Sequence, residues 1–220
     1  MKTYKFKLYP TPSQEQSLLT AWDACKTTWN LMLEQRLRAE RLGQRHTLLE
    51  LYKTRQAWFA EPEGTPYPLP PIPDRLPEVD GKPTPLMRLN MFEAKRDLPE
   101  LRNTNSVWLE HIPSMSLQEV ARKLEASWQS FFTSVKHGLV GAAPPSFKGR
   151  RTDISIPYVG GLKVESPTRI RVFGVGRVRT RLQGLPDEAY SSLFAEGPGE
   201  KALYSEITRA KSGQWYIHLV

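Results

Sequence analysis

Two adjacent stretches, Tyr4-Lys-Phe-Lys-Leu-Tyr-Pro10 and Thr11-Pro-Ser-Gln14, decide the fold class of this 220-residue chain. Apolar and aromatic residues of the first stretch alternate with Lys5 and Lys7, a period of two that is typical of a half-buried strand with a basic outer face. The threonine of the second stretch predicts a helix N-cap, with proline at the first helical position and glutamine completing a capping box. The sequence therefore predicts a strand that passes directly into a helix.

The helix that follows carries an apolar stripe over four turns. Its members recur at spacings of three and four, as one face of an amphipathic helix requires: Leu18, Trp22, Cys25, Trp29 and Leu33. Gly43 predicts the end of this helix near Leu42. A second helix is predicted from His46 to Phe59, and a short, weaker one from Leu86 to Leu101.

A further helix is predicted by a capping box that begins at Ser116, and Gly138 can end it. It carries the aromatic residues Trp128, Phe131 and Phe132. Exposed aromatic rings can stack on bases, but rings at helical spacing more often lie in a hydrophobic core. We expect these three side chains to be buried.

The segment 62–85 differs in composition, because nine of its 24 residues are proline. Such a segment cannot form a helix or a central strand. We expect an extended surface excursion. A proline-rich ligand for an aromatic groove is the alternative.

Beyond Phe147 the pattern changes to short strands separated by Gly, Pro or Ser turns. The predicted strands are 154–158, 162–164, 169–172, 175–180, 204–210 and 214–220, with a tight hairpin at 211–213 and a helical insertion near 185–194. Short antiparallel strands at this spacing suggest a small β-barrel.

The charge distribution favours a polyanionic partner. Lysine and arginine number 31 against 23 acidic residues, for a net charge of +8. Residues 1–60 carry a net +5 and residues 114–185 a net +8, whereas 61–113 and 186–220 are net acidic. Nucleic acid is the commonest partner of such a chain. A soluble basic protein with no such partner is the alternative.

Cysteine usage and apolar patterning exclude several classes of protein. Cys25 is the only cysteine. An intrachain disulfide is therefore impossible, and no Cys/His cluster has zinc spacing. Cys25 lies on the apolar stripe of the first helix, so we expect a buried structural thiol. No apolar run approaches the ~18 residues of a membrane span, and no signal-peptide core follows the basic start. We expect a cytoplasmic protein that does not contact a membrane.

The first candidate binding segment is the basic connector that contains Lys148, Arg150 and Arg151 around Gly149. Cations beside a glycine can approach phosphates closely, because no side chain stands in the way. A charged loop between two domains is an equally good interpretation.

The second candidate segment runs from residue 169 to residue 181. Arg169 and Arg171 alternate with apolar residues, and Arg177, Arg179 and Arg181 alternate with a valine and a threonine. Period-two alternation predicts that each set lies on one strand face. The two runs are close enough to pair, which would place five guanidinium groups on one sheet face. Arginine binds phosphate through a planar fork of donors. A solvated, ion-paired face is the alternative.

Catalytic motifs are absent from the sequence. No Gly-rich phosphate loop follows a strand, no Gly-x-Ser-x-Gly elbow occurs, and no metal-spaced set of carboxylates stands out. We therefore expect this chain alone to bind without cleaving.

Several of these motifs resemble the TnpB/OrfB family of transposon-encoded, RNA-guided nucleases, which are related to the type V CRISPR effectors. The opening Tyr4–Pro10 and Thr11–Gln16 is similar to the basic strand and capped helix that begin the family. Trp29-Asn30 resembles its aromatic-Asn pair. Residues 116–138, followed by Pro144-Pro-Ser-Phe-Lys148, resemble its aromatic helix and Pro-x-Phe basic motif. The predicted barrel matches only in pattern, and the 62–85 excursion departs from the family.

The resemblance implies a fold and a set of partners. It implies a helical recognition lobe inserted after the first strand of a small antiparallel β-barrel, the wedge domain, within an α+β protein. It also implies that guide RNA and target DNA are bound and that a short DNA motif beside the target is read. By analogy, His46, Thr47 and Lys53 lie where the family places motif-reading side chains.

The expected domain organisation follows from that resemblance. Residues 1–10 would be the first barrel strand, 11–147 the helical lobe and 148–220 the rest of the barrel. The family's magnesium-dependent RuvC-like nuclease and zinc ribbon would be absent, so no cofactor is expected here, and a separate C-terminal nuclease half is a possible partner. The alternatives are a fragment of a full nuclease, a stand-alone DNA-binding regulator with a helix-turn-helix, and a decayed remnant.

Overall fold

The computed structural model describes residues 3–62, 72–149, 152–182 and 204–219. This part of the chain is a mixed α+β protein, as predicted. In chain order its elements are β1 (Tyr4–Tyr9), α1 (Pro12–Leu42), α2 (Leu48–Phe59), β2 (Glu78–Val79), β3 (Lys82–Pro83), α3 (Met91–Arg96), α4 (Leu98–Thr104), α5 (Ser106–His111), α6 (Ser114–Lys136), β4 (Ile154–Val159), β5 (Leu162–Ser166), β6 (Arg169–Val172), β7 (Gly176–Thr180), β8 (Tyr204–Arg209) and β9 (Trp215–Leu219).

The chain divides into two compact units. The sheet unit comprises Met1–Lys26, Asn105–Val120 and Gly149–Val220, and the helical unit comprises Thr27–Thr104 and Ala121–Lys148. These bounds differ from the predicted division after residue 10, because parts of the helical region pack with the strands. A Cβ atom on Gly174, for example, would lie 2.5 Å from the backbone of both Glu110 and His111.

The sheet unit contains a seven-stranded antiparallel sheet in the order β4-β8-β9-β1-β7-β6-β5. Strand β1 lies in its middle and pairs with β9 and β7, which follow it in the chain by more than 160 residues. The six helices found in the described residues all lie between β1 and β4 in sequence. The first strand and the later strands therefore share one sheet, as the family resemblance implied.

In the described residues the seven-stranded sheet does not close into a hydrogen-bonded barrel, so the predicted barrel is not confirmed. Among the described residues no ladder joins the two outermost strands, β4 and β5. Only Gly160 and Gly161 separate these strands in the chain. The Gly161 carbonyl accepts a hydrogen bond from the N–H of Phe173 (2.7 Å), which continues the β5–β6 pairing by one residue.

The short β4–β5 link requires the sheet to curve strongly. Seven strands laid flat would separate the two edges by ~29 Å at the usual strand spacing. Three Cα–Cα steps from Val159 to Leu162 span at most ~11 Å. The sheet edges must therefore approach each other at this end, although they are not hydrogen-bonded to each other.

The inner face of the sheet forms a hydrophobic core. On β1, Phe6 and Leu8 are buried while Lys5 and Lys7 are exposed, which confirms the predicted alternation. Tyr158 is fully buried, and burial, with Cys25 nearby, raises the pKa of its hydroxyl well above the ordinary value. Cys25 itself is 2% exposed, as expected of a structural thiol.

The two predicted ends of α1 are confirmed. At its start the Thr11 N–H donates to Gln14 Oε1 (3.0 Å) and the Gln14 N–H donates to Thr11 Oγ1 (3.3 Å), which completes the capping box. At its end Gly43 has a φ of +63°, and its N–H donates to the Ala39 carbonyl (3.2 Å). This is the αL termination for which glycine is favoured.

The prediction of one helix from Leu86 to Leu101 is wrong. Two helices, α3 and α4, meet at Asp97 instead, and α5 follows without having been predicted. Pro99 explains the break, because it lacks the N–H that would continue the helical ladder back to Lys95. The carboxylate of Asp97 accepts hydrogen bonds from Gln35 Nε2 (2.7 Å) and from the N–H of Leu48 (3.2 Å).

The start of α6 and part of its predicted core are also corrected. The helix begins at Ser114, so Ser116 lies inside it and is not the N-cap. Trp128 is buried as expected, but Phe131 is only half-buried and Phe132 is 49% exposed. The described residues leave this face of the last helical turns uncovered, and the predicted burial of Phe132 is wrong.

The described part of the proline-rich segment, residues 72–85, contains no helix. It forms the two-stranded hairpin β2–β3, whose turn residues Asp80 and Gly81 have φ values of +53° and +70°. Positive φ at both central residues is the geometry of a tight hairpin turn. Residues 63–71 and the predicted helical insertion at 185–194 lie outside the described residues.

Candidate nucleic-acid interface

The antiparallel register places the predicted arginines of β6 and β7 on one face of the sheet. Arg169 lies directly opposite Arg179. Arg171 lies directly opposite Arg177. All four side chains are exposed, while the alternating residues on these strands are buried. The two runs pair through the intervening turn, as the sequence pattern predicted.

Strand β1 extends the same face beyond β7. Tyr9 lies opposite Arg179, and alternate residues of a strand share a face, so the exposed Lys5 and Lys7 point the same way. Lys163 on β5 lies opposite Arg171 and was not singled out from the sequence. We call these seven exposed cations the basic face: Lys5, Lys7, Lys163, Arg169, Arg171, Arg177 and Arg179. Arg181 directly follows β7 and is also exposed.

One carboxylate partly neutralises the basic face. Glu165 forms ion pairs with Arg177 (2.7 Å) and Arg171 (3.2 Å). Both arginines are about 60% exposed, and exposed ion pairs contribute only about 0–1 kcal/mol. The ion-paired interpretation therefore holds for this cross-strand pair of arginines.

The described residues place no such carboxylate beside the other cross-strand pair, Arg169 and Arg179. Within the described ranges no acidic side chain pairs with Arg169 or Arg179. Like charges directly opposite each other in a sheet destabilise it, and a bound anion would remove that repulsion. Arg169 and Arg179 are therefore the strongest candidates for phosphate contacts on the basic face.

Two tyrosines lie among these cations and were not predicted as site residues. The Arg179 guanidinium lies 6.0 Å from the centre of the Tyr9 ring, and Lys5 Nζ lies 4.2 Å from the centre of the Tyr216 ring. Tyr216 lies opposite Lys7. The signal was available in the sequence, since Tyr9 continues the Lys5–Lys7 alternation.

His218 lies on the same face, opposite Lys5. Its Nε2 is 3.0 Å from Thr208 Oγ1. Burial lowers the pKa of His218 below its ordinary value of 6.5, the charge of Lys5 lowers it further, and Glu206 opposes the shift. These surroundings therefore favour the neutral imidazole over the charged one.

Side-chain hydrogen bonds fix β1 and β7 in this arrangement. Gln14 Nε2 donates to the Arg177 carbonyl (2.8 Å), so the residue that caps α1 also holds β7. Thr180 Oγ1 donates to the Lys7 carbonyl (2.9 Å). Gln214 Nε2 donates to the Leu8 carbonyl (2.8 Å). The backbone that carries the basic face is thus held at three points.

The helical unit brings together two motifs that are far apart in the sequence. The Asn30 side chain accepts a hydrogen bond from the Lys148 N–H (2.7 Å) and donates one to the Lys148 carbonyl (2.9 Å). Trp29 Nε1 donates to the Ser146 carbonyl (3.0 Å). Lys148 Nζ lies 4.4 Å from the centre of the Trp29 ring. The Trp29-Asn30 pair therefore holds the basic connector, and Trp29 itself is half-buried.

Arg150 and Arg151 of the connector lie outside the described residues. Its described cation is Lys148, whose ammonium group lies over an aromatic ring as stated above. The start of the connector is therefore held in place by the contacts of Lys148 with Asn30 and Trp29.

The three predicted motif-reading residues have different surroundings. Thr47 is the N-cap of α2, and its hydroxyl accepts a hydrogen bond from the Glu50 N–H (3.2 Å). The His46 carbonyl accepts one from Gln35 Nε2 (2.7 Å). Lys53 is exposed, and six residues of helix place it roughly 120° around the axis from Thr47. The three side chains do not share one helix face, and their role in recognition stays a prediction.

The described residues lack two kinds of feature. They contain no group of three or more His, Cys, Asp or Glu side chains suited to a metal ion. None of the described helices is both long and apolar enough to cross a membrane.

A comparison with known protein families bears on the start of the chain. Residues 1–44 match the family model of the helix-turn-helix domain of IS605 OrfB proteins. The matched residues contain β1 and α1, and the turn to α2 follows directly. No curated protein matches the chain. A helix-turn-helix domain indicates nucleic-acid binding. Residues 1–44 are therefore similar to the helix-turn-helix domain of IS605 OrfB proteins, which supports nucleic-acid binding by this region.

Proposed function

We propose that this chain binds a guide RNA and its target DNA as the recognition part of an RNA-guided DNA-binding protein of the TnpB/OrfB kind. In this proposal the chain does not cleave DNA. Base pairing between guide and target selects the sequence, so the protein itself has mainly to hold nucleic-acid backbones and to read a short motif beside the target.

The observation that carries the proposal is the basic face. Its seven cations lie on four neighbouring strands, β5, β6, β7 and β1. Phosphate contacts from Lys and Arg supply most of the affinity of non-specific nucleic-acid binding. Strand β1, which supplies two of the cations, belongs to the region that matches the helix-turn-helix family model.

The helical unit supports the proposal through the held connector. A lysine that is fixed at its backbone loses less conformational freedom on binding than a lysine in a free loop. We propose that Lys148, Arg150 and Arg151 contact phosphates, and that His46, Thr47 and Lys53 contribute to reading the DNA motif.

The finer fold and the partners belong to the same proposal. We propose that the curved sheet acts as the wedge-type barrel of the family, although its edge strands are not paired with each other. Magnesium and zinc would serve a nuclease half supplied by other residues, since the described residues offer no suitable ligand cluster. The complex would form in the cytoplasm.

Sequencing of the nucleic acid that copurifies with the chain tests the proposal. The chain is expressed together with its native flanking DNA and washed at ~0.5 M salt, which screens most non-specific contacts. We expect one discrete RNA transcribed beside the gene. Random RNA, or none, would overturn the guided-binding proposal.

The matched controls are two pairs of charge-removing substitutions. Arg169→Gln with Arg179→Gln removes two cations from the basic face and should release the RNA. Arg75→Gln with Lys82→Gln removes the same charge from exposed positions beside and within the β2–β3 hairpin and should retain it. Equal loss from both double variants would contradict a role for the basic face.

A stand-alone DNA-binding regulator is the second candidate, and the helix-turn-helix match favours it. The two candidates differ in their need for RNA. Binding of duplex DNA by RNase-treated protein, at the affinity of the untreated protein, would support the regulator. Loss of DNA binding after RNase treatment would support guided recognition.

A further inference from the structure

We infer that the basic face binds an unpaired, single-stranded stretch of nucleic acid, whose phosphates contact its cations and whose bases stack on Tyr9 and Tyr216. The inference rests on the proposed function, because it names the form of nucleic acid that this same face takes.

The position of the two tyrosines is the first observation. Both lie on the polar face of the central strands, Tyr9 opposite Arg179 and Tyr216 opposite Lys7. Tyr9 is 40% exposed and Tyr216 is half-buried. Aromatic rings interleaved with cations are the usual platform for single strands, because every base has a face that can stack.

The spacing of the rings is the second observation. Tyr9 is two residues from Lys7 on β1, so it is a diagonal neighbour of Tyr216. Diagonal neighbours on a sheet lie about 7–8 Å apart. Successive bases along one strand of a duplex are ~3.4 Å apart. The two rings therefore fit bases that have separated from each other, as in a single strand.

The accessibility of bases in a duplex also favours a single strand. Base faces in a duplex are covered by their neighbours, and only base edges are accessible in the grooves. A side chain on a sheet face can stack on a base only when that base is unstacked. A duplex could use the cations of this face but would leave Tyr9 and Tyr216 without a role.

The cations already lie over these rings. Lys5 Nζ is 4.2 Å from the centre of the Tyr216 ring, and the Arg179 guanidinium is 6.0 Å from that of Tyr9. A phosphate that pairs with Lys5 would draw the ammonium away from the ring and leave space for a base. The same side chains thus supply the charge contact beside each stacking surface.

The test is fluorescence anisotropy with three labelled probes of one sequence: an unstructured 12-nucleotide RNA, the matching DNA strand and the DNA duplex. The full chain is first freed of nucleic acid by nuclease treatment and a high-salt wash. We expect both single strands, or one of them, to bind more tightly than the duplex. A preference between RNA and DNA identifies which single strand the face takes.

Tyrosine variants identify the contacts. Tyr9→Leu and Tyr216→Leu should each weaken single-strand binding by about tenfold and leave duplex binding unchanged. Tyr9→Phe and Tyr216→Phe keep the ring and should bind like the unchanged protein. Phe92→Leu, at an exposed aromatic of the helical unit, should have no effect.

Two outcomes would overturn the inference: tighter binding of the duplex, or leucine variants that bind single strands normally. If Arg169→Gln with Arg179→Gln still weakens binding in that case, the basic face keeps its proposed function and only the single-strand inference fails. If that double variant also binds normally, the proposed function of the face fails. Should a leucine variant fail to fold, ultraviolet cross-linking of a single strand to the unchanged protein tests the stacking instead. An absence of cross-links at both tyrosines would contradict the inference.

Discussion

The side-chain amide of Asn30 makes two hydrogen bonds to the backbone of Lys148, 118 residues further along the chain, with N–O distances of 2.7 and 2.9 Å. An amide group offers one donor and one acceptor in this geometry, so a single residue of α1 satisfies both backbone groups of the lysine. The Asn30 side chain on α1 therefore holds the connector through the connector's backbone groups. The lysine side chain takes no part in these two bonds.

Removal of this amide should loosen the connector. Asn30→Ala leaves the Lys148 N–H and carbonyl without their partner, and we expect the free energy of unfolding to fall by about 1–2 kcal/mol. Denaturant unfolding measures this loss. Trypsin should also cleave after Lys148 faster than in the unchanged protein. Asn103→Ala, at an exposed position of α4, is the control, and an equal loss there would contradict a specific role for Asn30.

Glu165 should weaken nucleic-acid binding, because its carboxylate occupies Arg171 and Arg177. Glu165→Gln removes the charge at nearly constant side-chain volume, so both guanidinium groups become available to phosphates. We expect tighter binding at 0.1 M salt and a steeper dependence of affinity on salt concentration. Glu78→Gln, at an exposed position of β2, makes the same charge change. Equal tightening by both variants would show a general charge effect and not a local one.

His218 should make stability depend on pH. Its pKa is lowered in the folded protein, so the unfolded chain binds more protons at any pH between the folded-state value and the ordinary value of 6.5. Stability in this window rises with pH. The contribution is complete above about 6.5 and is lost as the pH falls towards the folded-state pKa.

A pair of pH titrations of the unfolding midpoint measures this effect. His218→Gln keeps a polar group beside Thr208 but does not titrate. We expect the unchanged protein to lose stability relative to this variant as the pH falls below 6.5. Parallel curves for the two proteins would show that the His218 pKa is the same in the folded and unfolded chains.

Alanine substitutions at two glycines, one in the β6–β7 turn and one at the start of β7, distinguish the cost of backbone strain from the cost of a steric clash. Gly174 and Gly176 have φ values of +69° and +86°. A Cβ atom on Gly174 would lie 2.5 Å from the Glu110 carbonyl oxygen, whereas a Cβ on Gly176 would meet nothing within 4 Å. We expect Gly176→Ala to cost about 1–2 kcal/mol of stability from φ alone. Gly174→Ala should cost clearly more in the same denaturant experiment, and equal losses would contradict the close packing against Glu110.

Local signals in the sequence predicted the strands well. Alternation and turn residues predicted both ends of β6 without error. They predicted the ends of the other strands of the seven-stranded sheet to within about two residues. The capping box at Thr11 and the stop at Gly43 were equally local and are confirmed. These features depend on neighbouring residues alone, which is why the sequence was sufficient.

Features set by distant contacts were not predictable in the same way. The break at Asp97 combines a local cause, Pro99, with hydrogen bonds to Gln35 and Leu48 that only the fold reveals. The exposure of Phe132 depends on which elements cover α6, and helical periodicity contains no such information. The partial neutralisation of the arginines by Glu165 likewise follows from the β5–β6–β7 register.

Salt-dependent binding of the unstructured 12-nucleotide strand tests the central claim, phosphate binding by the basic face, most directly. The affinity is measured from 50 to 200 mM salt for the unchanged protein, for Arg169→Gln with Arg179→Gln, and for the control Arg75→Gln with Lys82→Gln. Loss of two phosphate contacts should flatten the slope of log affinity against log salt by about 1.4 for a single strand, and the control should keep the original slope. Slopes that coincide for all three proteins would contradict the claim that the basic face holds nucleic acid.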